Sequence, residues 1–99
     1  MPLLVPGTDG IAWPQYFVLC DYGPRLGRSW YEMDPEKADR ETVIQWLVEG
    51  QFTNPVQVVE IDLPAGTCRD VSAQFAEAVR FRSRGRVAPE TRVFVERAA

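Results

Sequence analysis

The chain has no histidine, two cysteines and a single lysine in 99 residues. Lack of histidine removes the commonest general base near neutral pH and the commonest metal ligand, which weighs against most hydrolytic mechanisms. Ser29, Ser72 and Ser83 lie in no GxSxG elbow, so no serine has its usual activating partner. Cys20 and Cys68 are far apart, in neither a CxxC nor a framework spacing; this argues against a disulfide-stapled scaffold and for two reduced thiols in a cytoplasmic protein. Lys37 does not follow a glycine and no GxGxxG is present, so the phosphate loop and the dinucleotide fingerprint are both missing. No stretch approaches the roughly 20 apolar residues of a spanning helix. "MPLLVPGTDG" has no basic leader, so neither a signal peptide nor a membrane partner is expected.

What is present suffices for one modest core: 45% of the residues are hydrophobic and 11% aromatic. The net charge of −3 is no field for bulk binding of DNA or an anionic membrane. Its distribution is uneven. Residues 1–68 carry four basic and ten acidic side chains, while residues 69–99 carry seven basic and four acidic.

The pattern predicts a Pro- and Gly-rich arm over residues 1–15, with Ile11 and Trp13 packing down, and one α+β domain over 16–99. Residues 16–21 and 29–33 are aromatic and β-branched and read as a hairpin around "YGPRLGR". Asp34 as N-cap, Pro35 at the first position and Glu36 near the dipole's positive end predict a helix over 35–49. Its apolar face is Val43, Ile44, Trp46, Leu47 and Val48, and Gly50 closes it. Alternation of Val59, Ile61 and Leu63 with Glu60 and Asp62 gives a strand over 56–63. Asp70 is expected to cap a second helix carrying Val71, Phe75, Ala78 and Val79, with Gly85 as its stop. Pro89 and Glu90 open a short third helix whose Thr91, Phe94, Val95 and Ala98 share a face, although "RVFV" also has strand character. The order β-β-α-β-α-α implies a small three-stranded, mainly antiparallel sheet with helices on one face.

Four constellations could carry function. The arginines at 80, 82, 84 and 86 would form a phosphate-following comb on a strand. On a helix Arg80 and Arg84 share one face, Arg82 bends over Phe75 and Val79, and the set serves the negative end of the dipole. The capping pattern favours the helix. "GPRLGR", residues 23–28, offers a small anion-binding concavity or a plain hairpin loop. Asp34, Glu36, Asp39 and Glu41 supply oxygen ligands, but not in the spacing of a calcium loop; acids of a first turn, with Arg40 pairing to Glu36, explain them without a metal. Cys20 reads as inert filling, whereas Cys68, beside Arg69 and just before a helix start, is the one candidate reactive thiol.

Trp30 and Tyr31 are adjacent on a strand and must point to opposite faces, so one of them lies outside the main core unless the second face is covered. An exposed aromatic near Arg25 and Arg28 has the composition of a protein-binding hot spot.

The central stretch also resembles a family of small uncharacterised bacterial proteins with the pattern LGR, an aromatic, an acidic pair, ADRETVI, GQ, NP, VV and RDVS. Leu26–Arg28, Ala38–Ile44, Gly50–Gln51, Asn54–Pro55 and Arg69–Ser72 carry it, within residues 16–79. Where that family has an acidic residue, glycine and tryptophan, this chain has Ala65, Gly66 and Thr67. The resemblance implies one compact cytoplasmic domain and brings no activity, cofactor or catalytic residue. The expectation is therefore a non-enzymatic domain without cofactor or metal, binding another protein or itself through Arg25, Arg28, Trp30 and Tyr31. Nucleic-acid binding through Arg80, Arg82, Arg84 and Arg86 is the alternative, followed by an enzyme using Cys68.

Overall fold

Aromatic and β-branched residues after the Pro-rich entry form β1 (Gln15–Asp21), which turns through the Gly23 and Gly27 loop into β2 (Arg28–Trp30). The computed structural model describes residues 11–98; the apolar residues of the proposed arm before Ile11 lie outside them. A single 3-10 turn, Pro35–Lys37, precedes α1 (Arg40–Glu49). Then come β3 (Pro55–Asp62), β4 (Thr67–Asp70), α2 (Ser72–Ser83) and α3 (Pro89–Ala98). The sheet is antiparallel throughout, in the order β2-β1-β3-β4.

Among the described residues the chain is thus α+β with three α-helices, but the sheet has four strands rather than the three expected. The missed strand is "TCRD". All four of its residues are exposed, and it has none of the apolar-polar alternation from which β3 is recognised in the sequence; backbone pairing through the Leu63–Gly66 turn makes it. The first helix also differs from the expected 35–49. Asp34 does accept from the Glu36 N–H, yet the helix breaks at Ala38, whose carbonyl leaves it to accept from the Tyr16 N–H at 2.8 Å. Asp39 caps α1 instead, accepting from the Thr42 N–H and hydroxyl. Gly50 closes α1 at φ 74° as read from the sequence; a Cβ there would lie 3.1 Å from Ala88 Cβ. Asp70 ends β4 and accepts from the Ser72 N–H, while Val71 holds the cap position of α2. Arg84 at φ 53° is the left-handed cap of α2, and the expected stop Gly85 follows it at φ 79°.

The core lies between the helices and one face of the sheet. Tyr16, Val18, Cys20 and Val58 meet Val43, Ile44 and Leu47 of α1, Phe75, Ala76 and Val79 of α2, and Phe94 and Val95 of α3, around a fully buried Phe52. The expected shared face of α3 is found, with Thr91, Phe94 and Val95 buried and Ala98 packed against them. Thr91 donates its buried hydroxyl to the Leu47 carbonyl at 2.6 Å and so ties α3 to the last turn of α1.

Candidate functional site

Period two divides the hairpin aromatics as the sequence requires. Tyr31 turns to the helix side, where its ring meets Phe52 and Trp46 edge-on at 5.0 and 6.3 Å. Trp30 turns to the other side, opposite Leu19 in register, and is 47% exposed. Leu19, Phe17, Val59 and Ile61 share that second side. Phe17, Trp30, Gln57, Val59, Ile61 and Cys68 line an open cavity of about 370 Å³ there. Among the described residues every α-helix packs on the opposite, core side. Of the hairpin residues proposed as one patch, Arg25 is exposed on the β1–β2 loop beside Leu26, Arg28 is exposed at the start of β2, Trp30 stands on the open face, and Tyr31 belongs to the core. Phe17 was not singled out in the sequence, and the apolar half of the β3 alternation, Val59, Ile61 and Leu63, was expected to be the buried face. The register instead sets Val59 opposite Phe17 on the open side and leaves Leu63 exposed, while Val58 faces the core.

The concavity at "GPRLGR" is not an anion nest. It is lined by Asp21, Gly23, Pro24, Gly27, Arg28 and Asn54. The Asp21 carboxylate already accepts from the Gly23 N–H at 2.9 Å and pairs with Arg28 at 3.6 Å. Arg25 is not among its lining residues.

The four-arginine comb is dispersed by the helix end. Arg82 donates to both carboxylate oxygens of Glu41 at 2.6 and 2.7 Å, joining α2 to α1. Arg84 has left the helix, so it does not share a face with Arg80. Arg80 and Arg86 instead meet Arg92, from α3, around a groove of about 670 Å³ at the α2–α3 junction. Arg92 lies on the next helix, outside the alternating segment 80–86.

The acidic run is engaged locally. Asp34 and Asp39 cap, and Glu41 binds Arg82 and, at 3.5 Å, Arg40. Arg40 does not reach Glu36, which the break at Ala38 leaves outside α1; its guanidinium stands 5.7 Å over the Phe75 ring. Burial pushes the Asp39 carboxyl up, but the Thr42 N–H and hydroxyl outweigh it and hold the group below its ordinary range.

Cys20 is fully buried, and desolvation raises its thiol despite the Tyr22 hydroxyl. Cys68 is exposed on the open face. Its expected partner Arg69 points the other way, because consecutive strand residues alternate, and binds Glu60 at 2.8 Å. The Tyr16 hydroxyl donates to the second oxygen of Glu60 at 2.7 Å. Burial, and then the Glu60 bond, push the Tyr16 phenol up to about 12, while Arg69 first and Tyr16 second hold Glu60 low. This trio crosses β1, β3 and β4 and ties three strands together.

No protein-family model, curated protein or solved structure matches the chain. Gly27 and Gly50 take positive φ, Asp39 caps α1, Asn54 turns at φ 43°, and the Ser72 hydroxyl donates to the Val58 carbonyl and accepts from its N–H, so these motif residues have architectural roles.

Proposed function

We propose that this is a small non-enzymatic protein-binding domain that acts through the open face of its sheet. One observation carries the reading: Phe17, Leu19, Trp30, Val59 and Ile61 put an apolar surface on the side of the sheet away from the helices. An apolar face rimmed by polar groups marks an interaction surface rather than a solvated one. Trp30 is the anchor, since a large half-exposed aromatic in a shallow cavity has the form of an interface hot spot. Arg25 on the adjoining loop and Arg28 at the start of β2 fit a partner with an apolar centre and carboxylates at its rim. The shape of the face favours a protein over a nucleic acid, because apolar residues line it and the arginines of 80–86 sit elsewhere. Reaction chemistry at Cys68 has the least support, with Arg69 on the opposite side of the strand. The composition suits a cytoplasmic protein, and the bacterial resemblance agrees with it; no described helix is long and apolar enough to cross a membrane.

Cys68 provides its own probe. A photo-activated cross-linker attached to that thiol in the full chain, irradiated in lysate, is expected to give discrete adducts with another protein that disappear in W30R and persist in F81A, a change at an exposed apolar residue of α2. Adducts identical in W30R would count against the open face. So would adducts confined to residues 1–10 of the same chain.

A further inference from the structure

We infer that the groove at the α2–α3 junction is a binding site for the phosphate group of a small organic phosphate. Arg80 from α2, Arg86 from the connecting turn and Arg92 from α3 converge on it, with Gly85, Val87, Ala88, Pro89, Val95 and Glu96 completing the lining. Among the described residues none of these three arginines pairs with a carboxylate, whereas Arg28, Arg40, Arg69 and Arg82 all do. One Nη of Arg80 contacts the Val95 carbonyl at 3.4 Å, which holds that side chain against α3 and leaves its other donors free.

Charge and shape together select the ligand. Three guanidinium groups and the Glu96 carboxylate leave an excess of two positive charges, matched to a phosphate monoester dianion. Guanidinium forks fit its oxygens with paired hydrogen bonds. Val87, Ala88, Pro89 and Val95 give the rest of the groove an apolar wall, and its volume of about 670 Å³ lies in the range of small-molecule sites. A nucleic-acid backbone is the poorer match. It would need arginines in a row, and Arg82 is held by Glu41 while Arg84 is not among the lining residues.

The test is an NMR titration of the full chain with phenyl phosphate and with inorganic phosphate. Saturable shifts at residues 80–96 are expected, with phenyl phosphate the tighter of the two because of the apolar wall. R86Q and R92Q, both at exposed positions, should each weaken phenyl phosphate roughly tenfold, the value of one lost charge-assisted hydrogen bond. R84Q and R97Q remove the same charge outside the groove and should leave affinity within about twofold, as expected of screened surface charge. E96Q should bind more tightly, a sign opposite to any unfolding effect. Unsaturable shifts, or equal losses in R84Q and R92Q, would overturn the site. Tight binding of single-stranded DNA that depends equally on Arg82, Arg84 and Arg86 would replace it with the strand-following comb. W30R should leave this binding unchanged, so failure here is separable from failure of the open-face reading.

Discussion

The two faces of one sheet, built from the same strands, meet opposite fates. On β1, Val18 and Cys20 are completely buried, while their neighbours Phe17 and Leu19 are only half-covered. On β3, Val58 is completely buried and Val59 is not. Composition does not distinguish the faces, because both are apolar. What distinguishes them is cover: three helices and Phe52 close one face, and among the described residues no helix packs on the other. Apolar surface that folding leaves uncovered contributes little to stability and remains for association. Substitutions on the two faces should therefore separate stability from binding.

The largest effect is expected at the centre of the closed face. F52A removes a fully buried ring and should cost about 3–5 kcal/mol, read as the shift in denaturation midpoint. W30A, the corresponding truncation on the open face, should cost no more than about 1 kcal/mol, since it loses mainly its cross-strand pairing with Leu19. Equal costs would break the comparison. Next is the tie between α1 and α3: T91V removes the hydroxyl bond to the Leu47 carbonyl, which keeps the Gly50 N–H at 3.2 Å, and should cost about 1.5 kcal/mol by the same measurement. Smaller still is Y16F, about 1 kcal/mol, for the single bond to Glu60.

That trio also sets a pH dependence at both extremes. Glu60 is held below its ordinary carboxylate range by Arg69 and Tyr16. The unfolded chain therefore protonates first, and stability present above about pH 4.5 is lost as the pH falls through the folded value. The Tyr16 phenol, raised from 10.0 to about 12, works in the other direction. Its contribution is intact below pH 10 and is lost between there and about 12, because the unfolded phenol ionises first. Denaturant midpoints across both ranges should fall in the wild type, and in Y16F the alkaline fall should be reduced.

Much of the closed face was legible in the sequence, because helical periodicity and capping report burial directly: Val43, Ile44 and Leu47, then Phe75 and Val79, then Thr91, Phe94 and Val95. The split between Trp30 and Tyr31 was legible for the same reason, since strand parity admits no other outcome. The fourth strand was not, because Thr67–Asp70 buries no side chain and is held by backbone pairing and the cross-strand Arg69–Glu60 and Gln57–Asp70 contacts, none of which the local pattern carries. The break at Ala38 depends on a hydrogen bond from Tyr16, 22 residues earlier in the chain, and no local signal carries it. The candidate surfaces depend on the same long-range geometry. The open face needs the β1–β3 register to bring Phe17 opposite Val59, and the arginine groove needs α3 to fold back and place Arg92 beside Arg80 and Arg86.

The two thiols give the comparison its most direct test. A small disulfide reagent should label Cys68 at a rate near that of an unhindered thiol and Cys20 only as fast as the protein unfolds. With the Trp30-dependent partner bound, labelling of Cys68 should slow by about tenfold or more, as expected when one site is occupied well above its dissociation constant. An unchanged Cys68 rate in the saturated complex would contradict the claim that the open face of the sheet is where this protein binds.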